Sequence, residues 1–148
     1  MNKEDFEKYL QDRYNQQIDW YRKKASYNKK VYQSLQTLVI ILSVITPILV
    51  IIGEGWLRWL AVVSSGIVAI GASLLKIFKY HENWINYRTT RETLGKEIHY
   101  YNSKLFGYKE AEDPEALFVE RVEAVISREN TLWIYVHKAK EEKIEKRS

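Results

Sequence analysis

The stretch LQTLVIILSVITPILVIIGEGWLRWLAVVSSGIVAIGASLL, residues 35–75, decides the fold. Residues 35–52 and 59–75 hold no charge and form runs of 18 and 17 residues. As α-helix, each run would be about 26 Å long, close to the ~30 Å hydrocarbon core of a bilayer. Arg58 and Lys76 flank the second run and can extend their stems toward the membrane interfaces. We therefore predict transmembrane helices over residues 35–52 and 56–78.

The alternative is a pair of buried helices in the core of a soluble protein. A chain of 148 residues offers too little surface to cover two helices that are apolar on all sides. We expect no secretory signal peptide, because the first apolar run begins only at residue 35 and is too long for one. The chain has no cysteine, which excludes disulfides, thiolate chemistry and cysteine-based zinc sites.

Residues 53–55, Gly-Glu-Gly, separate the two runs and predict a tight turn, and hence an antiparallel hairpin. Nine Lys and Arg residues lie within twenty residues of the far ends of the hairpin, against Arg58 alone near the turn. The positive-inside rule then predicts that both termini are cytoplasmic. The same rule accounts for the net charge of +4. No nucleic-acid partner is predicted, since the basic residues alternate with acidic and aromatic ones.

The two prolines mark the rest of the layout. Pro47, inside the first span, is expected to kink that helix and to free a carbonyl near Ser43. Asp113 followed by Pro114 is typical of a helix N-cap, so residues 107–113 are predicted to form a loop and residues 114–138 a helix. No proline or glycine pair interrupts residues 3–46 or 56–106, which indicates two very long helices.

The predicted fold class is therefore an all-α membrane protein. A two-span transmembrane helical hairpin has long helices that continue into a cytoplasmic helical bundle, and a third, C-terminal helix completes the bundle. The single domain comprises a cytoplasmic arm (1–34), the first span (35–52), an outer turn (53–55), the second span (56–78), a coiled-coil-like stalk (79–106), a cytoplasmic helix (114–138) and a charged tail (139–148).

The stalk carries bulky residues at alternating steps of three and four, which is the spacing of a coiled-coil seam. The seam is Ile77, Tyr80, Trp84, Tyr87, Arg91, Leu94, Ile98, Tyr101 and Leu105. A buried Arg91 would need an acidic partner, and Glu129 in the third helix is the one we predict.

Several segments together resemble one family. They are QQIDWYRKKASYNKKVYQ (16–33), the hairpin, WINYRTTRETLGKEIHYY (84–101) and RENTLW (128–133). In this order they resemble the bacterial SLATT group of two-transmembrane effector domains, over residues 10–137. The resemblance implies a pore-forming or membrane-perturbing effector of bacterial conflict systems, with a cytosolic nucleotide-signalling protein as partner. The family is largely of unknown function.

The matching residues are candidate assembly or stalk contacts. With Arg91 they are Trp20, Tyr21, Lys24, Asn28, Trp84, Tyr87, Arg88, Glu92, Glu97, Tyr101, Glu129 and Trp133. Arg88 and Glu92, four residues apart, are most simply a surface salt bridge. The resemblance suggests instead an inter-helix contact that Lys24 and Asn28 would face.

Polar and small residues inside the spans are the candidate pore-lining residues. In the first span Gln36, Ser43 and Thr46 fall near one face. In the second, one face carries Arg58, Ala61, Ser65, Ala69, Ala72 and Lys76. Such a stripe suits close helix packing, and it equally suits a narrow, mildly polar pore wall with a cation at each mouth. One hairpin cannot enclose a water path, so a pore requires several copies.

Catalysis is not expected. The three histidines form no HExxH motif, and there is no phosphate-binding glycine loop, GxSxG motif or cofactor signature. The predicted function is a homo-oligomeric pore or channel-like protein of the bacterial cytoplasmic membrane, gated through its cytoplasmic helices. The alternative is a non-conducting membrane scaffold that docks a cytosolic protein.

Overall fold

The computed structural model describes residues 1–128, and all the regular structure of these residues is helical. The elements are α1 (Lys3–Tyr9), a π-helical turn (Leu10–Tyr14), α2 (Asn15–Ile52), α3 (Trp56–Phe78) and α4 (Tyr80–Asn102). Residues 114–128 form a further helix, α5. The all-helical prediction is confirmed for this part of the chain. The predicted end of the third helix and the charged tail lie outside the described residues.

The chain divides into two compact units. The hairpin unit is Lys23–Tyr87, and the bundle unit is Met1–Arg22 together with the described residues 88–128. Two helical stretches, Lys3–Ile52 and Trp56–Asn102, are long and apolar enough to cross a membrane. The most apolar 18-residue window is wholly unburied in the first stretch and 17% buried in the second.

Two glycines allow the turn between α2 and α3. A Cβ on Gly53 would collide with the backbone oxygen of Leu49, so only glycine fits there. Gly55 has φ +58°, in the region that residues with a side chain rarely adopt. The Leu57 amide donates to the Glu54 carbonyl at 3.2 Å, which closes the turn and leads into α3.

The second long helix is broken, and the prediction of an unbroken helix over residues 56–106 is wrong at Lys79. This residue has φ +49°, which ends α3 at Phe78. The Asn83 amide donates to the Lys79 carbonyl at 3.0 Å, and the Asn83 side chain donates to the Phe78 carbonyl at 3.1 Å. Asparagine thus satisfies backbone acceptors at a break that neither proline nor glycine marks in the sequence.

The helix after the break also ends earlier than predicted, at Asn102 rather than at residue 106. Beyond it, Lys104, Phe106 and Gly107 all have positive φ values, which a helix cannot contain. The first long helix is likewise modified, by the π-helical turn at Leu10–Tyr14.

The core of the bundle unit is largely aromatic. Phe118 is fully buried, and the rings of Phe6 and Tyr14 pack against it with centroids 5.5 and 5.3 Å away. The Tyr14 hydroxyl donates to the Leu94 carbonyl at 2.8 Å. Burial raises the pKa of Tyr14 to about 12. These contacts bring α1, the π-helical turn, α4 and α5 into one bundle.

The start of α5 follows the sequence prediction. The Asp113 carboxylate accepts a hydrogen bond from the Ala116 amide at 3.0 Å, and the Asp113 carbonyl accepts one from Leu117 at 3.1 Å. Asp113 is therefore the N-cap and Pro114 the first helical residue.

Candidate functional site

The contact between α2 and α3 defines the inner sides of the hairpin. The hydroxyls of Thr46 and Ser64 lie 2.7 Å apart and share a hydrogen bond. Two turns farther from the loop, Gly71 approaches Val39 so closely that an added Cβ would lie 2.7 Å from a Val39 methyl group. Ala61, Ser64 and Gly71 are buried, so this side of α3 packs on α2. Thr46 and Ala61, predicted to belong to the polar stripes, thus lie inside the hairpin contact.

The other predicted pore-lining residues remain exposed or half-exposed. The Ser43 hydroxyl donates to the Val39 carbonyl and the Ser65 hydroxyl to the Val62 carbonyl, both at 2.7 Å. These bonds satisfy the hydroxyl hydrogens and leave the oxygens facing outward. Gln36 is half-exposed, and the predicted pore-lining residues Arg58, Ala69, Ala72 and Lys76 of α3 are exposed.

The exposed residues of the two predicted polar stripes lie on one side of the hairpin. At about 100° per residue, Gln36 and Ser43 are rotated by about 60–80° from Thr46 about the helix axis, measured in the direction of helix winding. On α3 the stripe is offset in the same sense from Ser64, by about 80–140°. For a viewer at the turn, the chain of α2 runs toward the viewer and the chain of α3 runs away. The same angular offset therefore runs anticlockwise on α2 and clockwise on α3. Because the two offsets start from the sides that face each other, both stripes lie on the same side of the hairpin. We call this side the polar face: Gln36, Ser43, Pro47, Arg58, Ser65, Ala69, Ala72 and Lys76.

The opposite side of the hairpin is aliphatic. Its exposed residues include Leu38, Ile41, Ile45, Val63, Ile67 and Ile70. Large exposed patches of this kind are unusual on soluble monomers and indicate a membrane or protein contact. The hairpin therefore has two chemically different sides, whereas a hairpin surrounded by lipid would be expected to be apolar on all sides.

Pro47 adds a backbone acceptor to the polar face. Proline has no amide hydrogen, so the Ser43 carbonyl loses the donor that α2 would otherwise supply four residues later. Both Ser43 and Pro47 are exposed, and the freed carbonyl lies between them. In a bilayer core, such a carbonyl is costly unless water or another polar group reaches it.

An aromatic and basic cluster lies at the other end of the hairpin unit, near the Lys79 break. The His81 ring lies 4.8 Å from that of Tyr32 and 5.7 Å from that of Trp84. The Lys29 ammonium lies 5.5 Å from the Trp84 ring centre, within cation–π range. Trp84, a predicted assembly residue, thus contacts α2 of its own chain.

The bundle unit contains a polar network that the sequence did not reveal. The Glu97 carboxylate accepts hydrogen bonds from the Tyr108 hydroxyl at 2.6 Å and from Arg121 at 3.3 Å. Arg121 also lies over the Tyr108 ring at 4.9 Å and donates to the Phe106 carbonyl at 2.8 Å. Burial, and then the bond to Glu97, raise the pKa of Tyr108. Glu97, a predicted assembly contact, thus holds the 103–113 loop in place.

A second network joins α1 and the π-helical turn to α5. Arg13 donates to both oxygens of Glu123, at 3.0 and 3.1 Å, and the Tyr9 hydroxyl donates to the same carboxylate at 3.0 Å. The bond from Arg13 holds the pKa of Glu123 below its usual value. Burial and the contact with Glu123 raise the pKa of Tyr9. Nothing in the spacing of these residues marks them as partners.

The stalk residues differ from the predicted seam. Leu94 is fully buried, as the seam predicts. Arg91 is exposed, and its neighbour Thr90 is half-buried instead. Arg91 is therefore not buried within its own chain, where the half-buried stripe steps from Tyr87 to Thr90, and its role in assembly stays a prediction. Its proposed partner Glu129, and Trp133, lie outside the described residues.

The remaining predicted contacts are mostly local. Arg88 and Glu92 form a salt bridge of 2.8 Å with both side chains exposed, and Arg88 holds the pKa of Glu92 below its usual value. The Asn28 side chain is buried and donates to the Lys24 carbonyl at 2.8 Å. Tyr87 is half-buried.

Three predicted aromatic contacts lie in the bundle unit. Trp20 is 42% exposed and packs edge-on against the buried Tyr21, with ring centroids 4.9 Å apart. Tyr101 packs against Phe6 at 5.1 Å and donates its hydroxyl to Glu115 at 3.1 Å. Of the three, Trp20 presents the most surface for a partner.

Within residues 1–128, no three His, Asp or Glu side chains converge as metal ligands would. Residues 16–116 match the sequence model of a family described as "Protein of unknown function (DUF4231)". Nothing in that description names the SLATT group, so this resemblance stays a prediction. No curated protein and no solved structure matches the chain.

Proposed function

Since the chain belongs to DUF4231, a family whose description assigns no activity, we propose a function from its own residues: a homo-oligomeric membrane pore. The observation that carries the proposal is the two-sided hairpin, with small and polar residues on one side and bulky aliphatic residues on the other. Lipid would cover the aliphatic side, and the polar faces of several copies would surround a narrow water path. The freed Ser43 carbonyl supports this arrangement, because water on that side would satisfy it.

The wall of such a pore is mildly polar. Ser65, Ala69 and Ala72 are small, so they leave room beside α3 for water or for a neighbouring helix. Ile40 is exposed at the border of the polar face, so an apolar side chain would stand at the edge of the path. We infer that copies associate through the edges of this face while its centre stays hydrated.

The bundle unit supplies the means of control in this proposal. Its helices belong to the same chain as the spans, so a partner that shifts the bundle could open or close the path. The orientation proposed for the protein, with both termini cytoplasmic in a bacterial cytoplasmic membrane, rests on the excess of basic residues beside the far ends of the hairpin. The SLATT resemblance supports a role in a bacterial conflict or defence system, with a nucleotide-signalling protein as the trigger.

A second candidate is a non-conducting scaffold. It is favoured by two exposed aromatic residues of the bundle unit, Trp20 at 42% and Phe106 at 66% exposure. Aromatic side chains of this kind are common anchors in protein interfaces. In this case the polar faces of the hairpins would pack together without water, and the bundle would recruit a cytosolic protein.

Reconstitution into liposomes separates the two candidates. Purified protein is incorporated at increasing protein-to-lipid ratios, and release of a trapped ion indicator is measured. A pore built from several copies predicts leakage that rises more steeply than in proportion to protein. A matched preparation of Ser65→Trp, which fills the proposed path, should leak much less. A tight vesicle at every ratio, with oligomers verified by cross-linking, would contradict the pore and favour the scaffold.

A further inference from the structure

Charge on the polar face of the hairpin points to the kind of ion that crosses it. We propose that the path conducts anions, an inference that rests on the pore function proposed above. A basic residue stands at each end of the polar face, Arg58 near the turn and Lys76 near the break. Both side chains are exposed. In an assembly of several copies, each would form a ring of positive charge at one mouth.

The spacing of the two residues suits the two mouths of one path. Arg58 and Lys76 are 18 residues apart in α3, which is about five whole turns, so they lie at nearly the same angle round the helix. The rise over that distance is about 27 Å, close to the ~30 Å core of a bilayer. Ser65, Ala69 and Ala72 lie between them on the same face. An ion following this face would therefore pass one cation on entering and one on leaving.

Negative charge is scarce throughout the hairpin unit. Residues 20–53 and 55–81 contain no Asp or Glu. Residues 23–87 hold seven basic and two acidic residues, a formal charge of +5 against +4 for the whole chain. One of the two acidic residues, Glu82, is paired with Lys79 at 2.9 Å. Among the described residues, neither Arg58 nor Lys76 forms an ion pair, so both charges remain available to a passing ion.

The physical consequence is a barrier to cations at both mouths. Rings of Lys or Arg favour anions in narrow pores, because apolar walls concentrate the field of the fixed charges. The freed Ser43 carbonyl opposes this effect, since a carbonyl oxygen attracts cations. It is a neutral dipole near the middle of the span, however, and each mouth carries a full charge. The mouths therefore decide which ions enter.

The alternative role for both side chains is anchoring, with each charge extended to lipid headgroups rather than to the path. In that case their replacement would alter insertion or stability but not ion preference. The two roles are separated by a measurement of selectivity on protein that still conducts.

The test is the reversal potential of the purified protein in planar bilayers under a gradient of potassium chloride. The wild type should reverse near the equilibrium potential of chloride. Lys76→Glu and Arg58→Glu should each move the reversal potential toward that of potassium, and the double variant should move it furthest. Lys76→Gln, which removes the positive charge without reversing it, should give an intermediate shift, and Lys76→Arg, which keeps the charge, should give none.

Lys30→Glu is the matched control. Lys30 is exposed near the same end of the hairpin as Lys76 but lies about 120° round α2 from Gln36, away from the polar face. The same change of charge there should leave the reversal potential almost unchanged. A wild type that reverses near the potassium potential, or glutamate variants that conduct with unchanged preference, would overturn anion selectivity and leave the pore intact. Absence of any current in the wild type would overturn the pore itself, and this inference with it.

Discussion

The contact between Gly71 and Val39 fixes the angle at which α2 and α3 face each other, and with it the polar face. An added Cβ at Gly71 would lie 2.7 Å from the Val39 methyl group, whereas ordinary carbon contacts are about 3.5–4.0 Å. The methyl must therefore move by about 1 Å. Valine in a helix has one strongly preferred rotamer, so it cannot simply rotate away. Either the helices separate or the side chain is strained.

Gly71→Ala is therefore expected to destabilise the hairpin. Overpacking of this kind costs about 1–3 kcal/mol. Alanine regains about 0.5–1 kcal/mol of helix propensity over glycine, which leaves a net loss of about 0–2.5 kcal/mol, centred on about 1 kcal/mol. Unfolding in mixed micelles, titrated with sodium dodecyl sulfate and followed by tryptophan fluorescence, measures this difference.

Gly66→Ala is the matched control, because the same substitution is made five residues earlier in α3. Nothing lies within 4 Å of a Cβ added at Gly66, so only the propensity gain remains and the hairpin should be slightly stabilised. Val39→Ala combined with Gly71→Ala should recover part of the loss. Equal shifts for the two glycine variants would refute the close contact of α2 and α3 at Gly71, and with it the assignment of the polar face.

The remaining predictions concern charge and backbone. Arg121→Met should lower the free energy of unfolding, measured by denaturant titration, by about 1–3 kcal/mol because Glu97 loses its cation, and Glu97→Gln added to it should recover part. Pro47→Ala should raise resistance to dodecyl sulfate and reduce ion leakage, since the new amide hydrogen occupies the freed carbonyl; unchanged leakage would contradict a role for that carbonyl. The lowered pKa of Glu123 means that its contribution to stability is present above the unfolded-state pKa and lost as pH falls through the folded-state value. Arg13→Met should therefore flatten the acid side of the stability profile, and an unaltered profile would exclude the pair.

Two uncharged runs and the short turn between them made the hairpin predictable. An uncharged run needs no tertiary partner to be recognised, and two glycines around Glu54 suffice for the turn. The N-cap at Asp113 was predictable for the same reason, because the capping bond is local in sequence. Such features depend on neighbouring residues alone.

Other features depend on contacts between distant segments and could not be read from spacing. The break at Lys79 uses a positive φ value in a residue with no preference for it. The pair Arg13 and Glu123 joins residues 110 positions apart, with no signal in either segment. The half-buried stripe continues from Tyr87 to Thr90, three residues on, rather than to Arg91, four residues on. Both steps are compatible with one helix face, so helical periodicity cannot choose between them.

Water accessibility along α3 tests most directly the claim that the polar face lines a path. The chain contains no cysteine, so single cysteines report without background. Ser65→Cys and Ala72→Cys should react rapidly with a charged thiol reagent in intact membranes, and the adduct at Ser65 should block ion leakage. Ser64→Cys, in the hairpin contact, and Ile70→Cys, on the aliphatic side, should react far more slowly, because an apolar setting suppresses thiolate formation. Equal inertness of all four positions in conducting membranes would contradict the pore-lining assignment.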